Sequence, residues 1–416
     1  LWSSNNNFLI SMYYRVFFQV ALVNEFLRQT TDVQLQSRGV SAPLTATIHQ
    51  YRAEARFLRA LSYWHGIDLF GNIPLVQEDF PLGTTAPQQA TRAQIFDFIV
   101  SELNAIQPDL PAAHAGEYGR VDQGAVAMLL AKLYLNAQVY TGTDHNADVI
   151  TALGPVLAPS VYTLDPVYQH LFLADNNTSP ELIFVVPFDG KHTQSYGGTT
   201  FLTHAETGNG IDPATVGIDG GWYGLRVRKE VSLLYPSIPG PDHRADYFHT
   251  GGQDISMTNL TDFGKGYLTS KYRNVNSDGS PGQVPGFSDV DYPMFRLGDA
   301  YLMYAEAVLR GGGGTRAQAL LYVNALRERA YGNASGDITD GQLTLPFIKD
   351  ERSRELLWEG HRRTDLIRFA DFTDNDTWQW KGNVLDGRAT ESFRNLYPLP
   401  ASEVIANPNL TQNTGY

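Results

Sequence analysis

Apolar positions in the N-terminal part of the chain recur every three or four residues between short polar breaks, a pattern that predicts long helices. The first covers Phe8–Gln29, with Met12, Phe17, Val20, Val23, Phe26 and Leu27 at helical spacing. A second covers Ala46–Phe70, with Ala53, Phe57, Leu61, Trp64 and Ile67 repeating, and Gly71 stops it. Thr91 caps a third, which turns Ile95, Phe98, Ile99 and Leu103 inward and ends before Pro108. The fourth, Asp122–Gln138, sets Ala125, Ala127, Ala131 and Ala137 among Leu129, Leu130, Leu133 and Leu135. Small residues on a helix face let neighbours approach closely, so stacked antiparallel helix pairs are expected.

The pattern changes over residues 177–293. Leu182–Val186 reads as a buried strand, and the rest is rich in Gly, Asn, Asp, Ser and Thr with scattered aromatics. So long an irregular stretch in a compact chain is uncommon without a function, and ligand contacts are expected there. Helices then return. Leu297–Arg310 carries Tyr301, Tyr304, Ala305 and Val308 on one face. Ala317–Ala330 follows the Gly311–Gly314 break with Leu320, Leu321, Val323, Leu326 and Ala330, as in a tetratricopeptide-type unit without its strict consensus. A last helix, Pro346–Phe369, leads into an extended tail rich in Pro and Asn. The expected fold is mainly α: tetratricopeptide-like helix pairs packed against an irregular loop-rich half with few short strands. One domain over 1–416 would comprise a helical N-terminal half (1–176), a loop-rich ligand-facing region (177–293) and a helical C-terminal part with its tail (294–416).

Charge and composition narrow the function. The 416 residues include 31 basic and 44 acidic side chains, a net charge of −13 that argues against nucleic-acid binding. The absence of Cys excludes disulfides, thiolate metal sites and cysteine nucleophiles. The 22 Tyr, 21 Phe and 6 Trp either fill an aromatic core or form flat amphipathic faces for binding. The longest apolar run, Phe8–Val23, contains Arg15 and Gln19 and is too short to cross a bilayer. The first residue, Leu1, is not Met, so the natural N-terminus, with any signal peptide it carries, is expected to lie upstream of it.

Catalytic signatures are absent: there is no GxSxG, HExxH, P-loop or strand–GxGxxG–helix pattern. Glu351, Glu355 and Glu359 share one face of the predicted last helix. They would form either an acid/base pair or, as is favoured, a structural lattice with Arg352, Arg354, Arg362 and Arg363. Asn274-x-Asn276-x-Asp278-Gly279 and Asp144-x-Asn146-x-Asp148 imitate calcium loops but lack the remaining ligands or glycine. Asx turns explain them, so no cofactor beyond a structural calcium is entertained. Sugar rings stack their C–H faces on Trp and Tyr and present hydroxyls to planar polar groups. That chemistry singles out Asp219, Trp222 and Tyr223 in a Gly-rich loop, and Trp2 with Asn5 at the N-terminal edge, although a loop Trp can equally plug a core.

Five blocks in order resemble the SusD/RagB family of outer-membrane glycan-binding lipoproteins. They are Glu54–Ala60 with Leu69–Leu75, Gly119–Leu135, Arg296–Ala307 (Asp299 replacing the usual Glu), Glu351–Arg368, and Leu399–Asn413. The resemblance spans nearly the whole chain and implies a non-enzymatic protein. Such a protein binds oligosaccharide at the cell surface and delivers it to a SusC-like TonB-dependent outer-membrane transporter, with the helical side facing that partner. It implies attachment through a lipidated N-terminal cysteine, which this chain does not contain. A starch-binding member has a Trp-x-x-Asn pattern similar to Trp2–Asn5. The alternatives are a helical glycoside hydrolase and a tetratricopeptide-like peptide-binding scaffold.

Overall fold

The side chain of Asn6 accepts the amides of Phe8 and Leu9 and so starts the first long helix, α1 (Asn7–Gln29). The computed structural model describes residues 2–83 and 85–416. The chain packs into two compact units, one made of Leu1–Pro155, Ile367–Asn375 and Thr390–Tyr416, the other of Val156–Leu366 and Asp376–Ala389.

In the first unit α1 packs on α2 (Ala42–Phe70), and α2 packs on α3 (Arg92–Ile106). The buried face of α1 is Leu9, Tyr13, Val16, Val20, Val23 and Leu27, so Met12, Phe17 and Phe26 flank the core without forming it. Gly71, at φ +73°, ends α2 as the sequence predicts. Thr91 and Gln94 form a complete capping box on α3. Asp122 caps α4 (Gln123–Leu135), which is buried almost all round. It stops three residues earlier than expected, at Asn136, whose backbone and side-chain amides turn back onto the last carbonyls. Most of the residues predicted as an extended tail are irregular, but Ala401–Ala406 forms a short helix.

The second unit holds the loop-rich segment. Strand β1 (Leu182–Val186) lies where the sequence places it and pairs antiparallel, with two register shifts, with β2 (Tyr292–Arg296). Around this pair Tyr168, Phe172, Tyr235, Tyr247, Phe248 and Tyr272 form a buried aromatic cluster, so much of the tyrosine excess serves the core. Strand β2 runs directly into α5 (Leu297–Leu309). A glycine-rich turn then folds α6 (Arg316–Tyr331) back onto α5, where Tyr301 and Tyr322 stack at 4.2 Å.

The predicted Pro346–Phe369 helix is two helices. The first is α7 (Leu345–Glu355). Trp358 and Gly360 then take φ of +62° and +79°, and Arg362–Arg368 resumes the helix. The break is held from outside, because Lys271 Nζ and Tyr272 Oη donate to the carbonyls of Leu357 and Trp358. Glu359 therefore lies outside α7 and does not continue the face of Glu351 and Glu355. The three carboxylates nevertheless form a buried lattice, in large part with partners from other elements. Arg296 donates to Glu359 at 2.7 Å, to Glu355 at 2.8 Å and to Glu181 at 2.9 Å. Arg244 bridges Glu351 and Glu355 at 2.8 and 2.9 Å. Of the expected cations, Arg354 holds Glu351, whereas Arg352 turns to Asp299 and Asp365.

Candidate ligand-binding site

A short helix of the second unit, Gly198–Ala205, carries Phe201 and His204, and the loop after Asp219 folds back along its end. The amide of Trp222 donates to His204 O at 2.9 Å, that of Tyr223 to Thr207 O at 3.3 Å and that of Gly224 to Ala205 O at 2.8 Å. This approach requires glycine at 221, where a Cβ would stand 2.2 Å from Thr207 O. The indole of Trp222 then lies over the His204 ring, centroids 4.7 Å apart and planes 30° from parallel. His204 is itself buried; Nδ1 faces Thr200 O at 2.8 Å and Nε2 faces Asp219 Oδ1 at 3.3 Å.

Phe201 and Tyr196 each stand 6.2 Å from Trp222, and Tyr196 also touches Phe287 at 5.5 Å. Trp222 keeps 40% of its surface exposed, Phe201 42% and Tyr196 73%, so the group faces solvent and does not plug a core. Tyr223, at φ +56°, diverges from Trp222 and packs on Phe263 at 5.1 Å while remaining exposed.

Three of the five predicted residues thus share one loop. Asp219 and Trp222 meet through His204, and Tyr223 stands beside them on a different neighbour. Trp2 and Asn5 belong to the first unit. There Trp2 is exposed with its ring edge-to-face against Tyr397 at 5.6 Å, and Asn5 is exposed in the turn before α1. Tyr196, Phe201 and His204 were not anticipated. Tyr196 precedes Gly197-Gly198, the same glycine-flanked aromatic pattern that marks Trp222, so that signal was present.

The carboxylates of the lattice offer no proton donor. Burial would raise the pKa of Glu351, but Arg244, Arg354 and Arg327 outweigh it and hold the group at about 2. In the same way Arg329, Arg296 and Arg244 hold Glu355 below the usual range, as Arg296 and Lys271 hold Glu359. Glu206 is the opposite case: burial pushes it well above the usual range, against the pull of the Tyr272 amide and of Lys271 and Arg273, but it is fully enclosed. Among the described residues no three His, Asp or Glu side chains gather as a metal-binding group. Asn274 spends its amide on the carbonyls of Gly217, Val284 and Phe287, and Asp278 accepts from Ser280 in a local turn. Asp144 accepts from Asn146, and Asp148 pairs with His145. Among the described residues no helix is long and apolar enough to cross a membrane.

Residues 243–416 match the SusD family. Over its whole length the chain is 32% identical to the starch-binding protein SusD of Bacteroides thetaiotaomicron, covering 80% of that protein. It is 26% identical to SusD-like protein P25 of Formosa agariphila, over 88% of this chain and 73% of that one. Among solved structures, a SusD superfamily protein from Parabacteroides distasonis superposes with a TM-score of 0.77 at 25% identity, over all of this chain and 88% of that one. The surface glycan-binding protein A of Bacteroides thetaiotaomicron, solved with laminarihexaose, superposes with a TM-score of 0.68 at 22% identity, over 88% of this chain and 79% of that one, and shares its fold. The mainly helical, tetratricopeptide-like architecture with few short strands is common to these proteins. From its identity to SusD over the full length, the chain belongs to the SusD family.

Proposed function

We propose that this protein binds glycans at the cell surface and hands them, without cleaving them, to a SusC-like TonB-dependent transporter in the outer membrane. The observation that carries this reading is the solvent-facing cluster of Trp222, Tyr196 and Phe201, backed by His204. Such a group offers a sugar ring an apolar platform, and Asp219 supplies an acceptor for its hydroxyls. Tyr223 offers a further exposed ring beside the platform, on Phe263, and Trp2 with Asn5 offers a separate aromatic–amide pair on the first unit. Family membership supports the carbohydrate class, since relatives are starch-binding and glycan-binding proteins. The transporter partner and attachment by an N-terminal lipid are part of this proposal and follow from what membership of the family implies. The reading needs no cofactor, and the ionised, arginine-bound glutamates argue against a hydrolase.

Isothermal calorimetry against a panel including starch and laminarin oligosaccharides tests it, with Trp222→Ala and Trp2→Ala beside the wild type. The expected result is micromolar to millimolar binding to one glycan class, reduced at least about tenfold by Trp222→Ala. Release of reducing ends from the bound glycan, or no binding across the panel, would overturn the proposal. Binding that survives both variants would retain the function and remove the site.

A further inference from the structure

A concave site elsewhere in the same unit has a different chemistry. The segment Arg226–Val231 forms one wall and the elbow Leu356–Arg363 the other, around a cavity of about 480 Å³. That volume is within the range of about 300–1,000 Å³ usual for small-molecule sites. Val227, Val231, Leu356, Leu357 and Trp358 give it an apolar lining. Its charged lining comprises Arg226 and Arg228 on one wall and Arg352, Arg362, Arg363 and Asp365 on the other.

The cations differ in how far they are satisfied. Arg352 and Asp365 neutralise one another at 2.9 Å. Arg226 spends its N–H groups on the carbonyls of Leu260, Asp262 and Lys265 at 2.6–2.7 Å, neutral acceptors that leave its charge in place. The Arg228 side chain reaches solvent, and its guanidinium makes no hydrogen bond or ion pair with the described residues. The surrounding protein partly desolvates the guanidinium and lowers its pKa, the field of Glu230 opposing this, while Glu230 itself accepts the amide of Gln379 at 3.1 Å. An available guanidinium fork beside an apolar wall matches a ring that carries a planar carboxylate, because two parallel N–H groups engage both oxygens.

We propose that this pocket binds a uronic acid, with Arg228 gripping the carboxylate and the ring lying against Leu357 and Trp358. This extends the ligand range beyond neutral glycans and does not depend on the aromatic platform.

The test is calorimetry with glucuronate, glucose and acetate on the wild type, Arg228→Gln and Arg228→Lys. Glucuronate should bind at least about tenfold more tightly than glucose, which has the ring alone, and than acetate, which has the carboxylate alone. Arg228→Gln should remove that advantage and Arg228→Lys restore part of it, while both variants keep wild-type unfolding curves and wild-type affinity for neutral glycan. Raising the salt concentration should weaken glucuronate and leave neutral glycan unaffected. Equal affinity for glucuronate and glucose, or for glucuronate and acetate, would overturn the proposal. So would glucuronate affinity unchanged in Arg228→Gln.

Discussion

Trp222 rests on His204, ring centroids 4.7 Å apart, and His204 is fixed from below by Thr200 O and Asp219. The exposed indole is thus positioned by a ring buried beneath it. Replacing His204 with Ala should loosen the platform without removing an aromatic from it. An aromatic pair of this kind contributes about 0.5–1.5 kcal/mol, which converts to roughly a 2- to 13-fold loss of glycan affinity. Calorimetry of His204→Ala beside Trp222→Ala checks this: the first should weaken binding, the second should weaken it more. Equal affinity of His204→Ala and wild type would show that the indole holds its place unaided.

Gly221 is the point at which the loop passes the Thr207 carbonyl, and a Cβ there would lie 2.2 Å from the oxygen and 2.6 Å from its carbon. Backbone cannot yield as a side-chain tip does, so Gly221→Ala must shift the loop and carry Trp222 off His204. The expected outcome is a loss of glycan affinity approaching that of Trp222→Ala. Intrinsic tryptophan fluorescence of the free protein should change with it. An Ala variant that binds like wild type would mean that the loop relaxes without displacing the indole.

Most helices could be read from the sequence because their ends are local. Thr91 with Gln94, Asp122 before α4 and Gly71 after α2 each act within a few residues. The break after Glu355 could not. The helical pattern runs on through Leu356–His361, and what opens it is the demand of Lys271 and Tyr272, distant in sequence, for the carbonyls of Leu357 and Trp358. The lattice was foreseen for the same reason that its partners were missed. The carboxylates cluster in one segment, but Arg244, Arg296, Arg327 and Arg329 are supplied by other elements. At the candidate site the glycine-flanked Trp222 stood out. His204 and Phe201 lie in a Thr-rich segment whose role is set only by the returning loop.

The lattice makes acid the weak point of the second unit. Glu351 titrates at about 2 in the fold, against about 4.3 in an unfolded chain, so the unfolded state binds more protons between those values. The stability it contributes is complete above about 4.3 and disappears as the pH falls toward 2. Unfolding followed by circular dichroism should show a steep loss of stability in that window. Glu355→Gln, which leaves Arg296 and Arg244 short of a buried partner, should cost about 3–5 kcal/mol at neutral pH. A change below about 1 kcal/mol would mean that the remaining carboxylates share the charge adequately.

Glu206 gives the opposite pH dependence. It is fully buried directly after the Gly198–Ala205 helix, accepting the Tyr272 amide at 3.2 Å through one oxygen while the other has no hydrogen-bond partner. Burial raises its pKa well above the usual carboxylate range, so the folded protein keeps a proton that the unfolded chain releases above about 4.3. Above that pH the unfolded state binds fewer protons at this position. Its contribution therefore falls by about 1.4 kcal/mol per pH unit until the folded-state value is reached. Glutamine has no proton to lose, so Glu206→Gln should gain stability relative to wild type as the pH is raised from 5 to 8. Urea unfolding at several pH values in that interval reads the difference directly. Parallel curves for the two proteins would show that Glu206 is ionised in the fold and that Lys271 and Arg273 offset its burial.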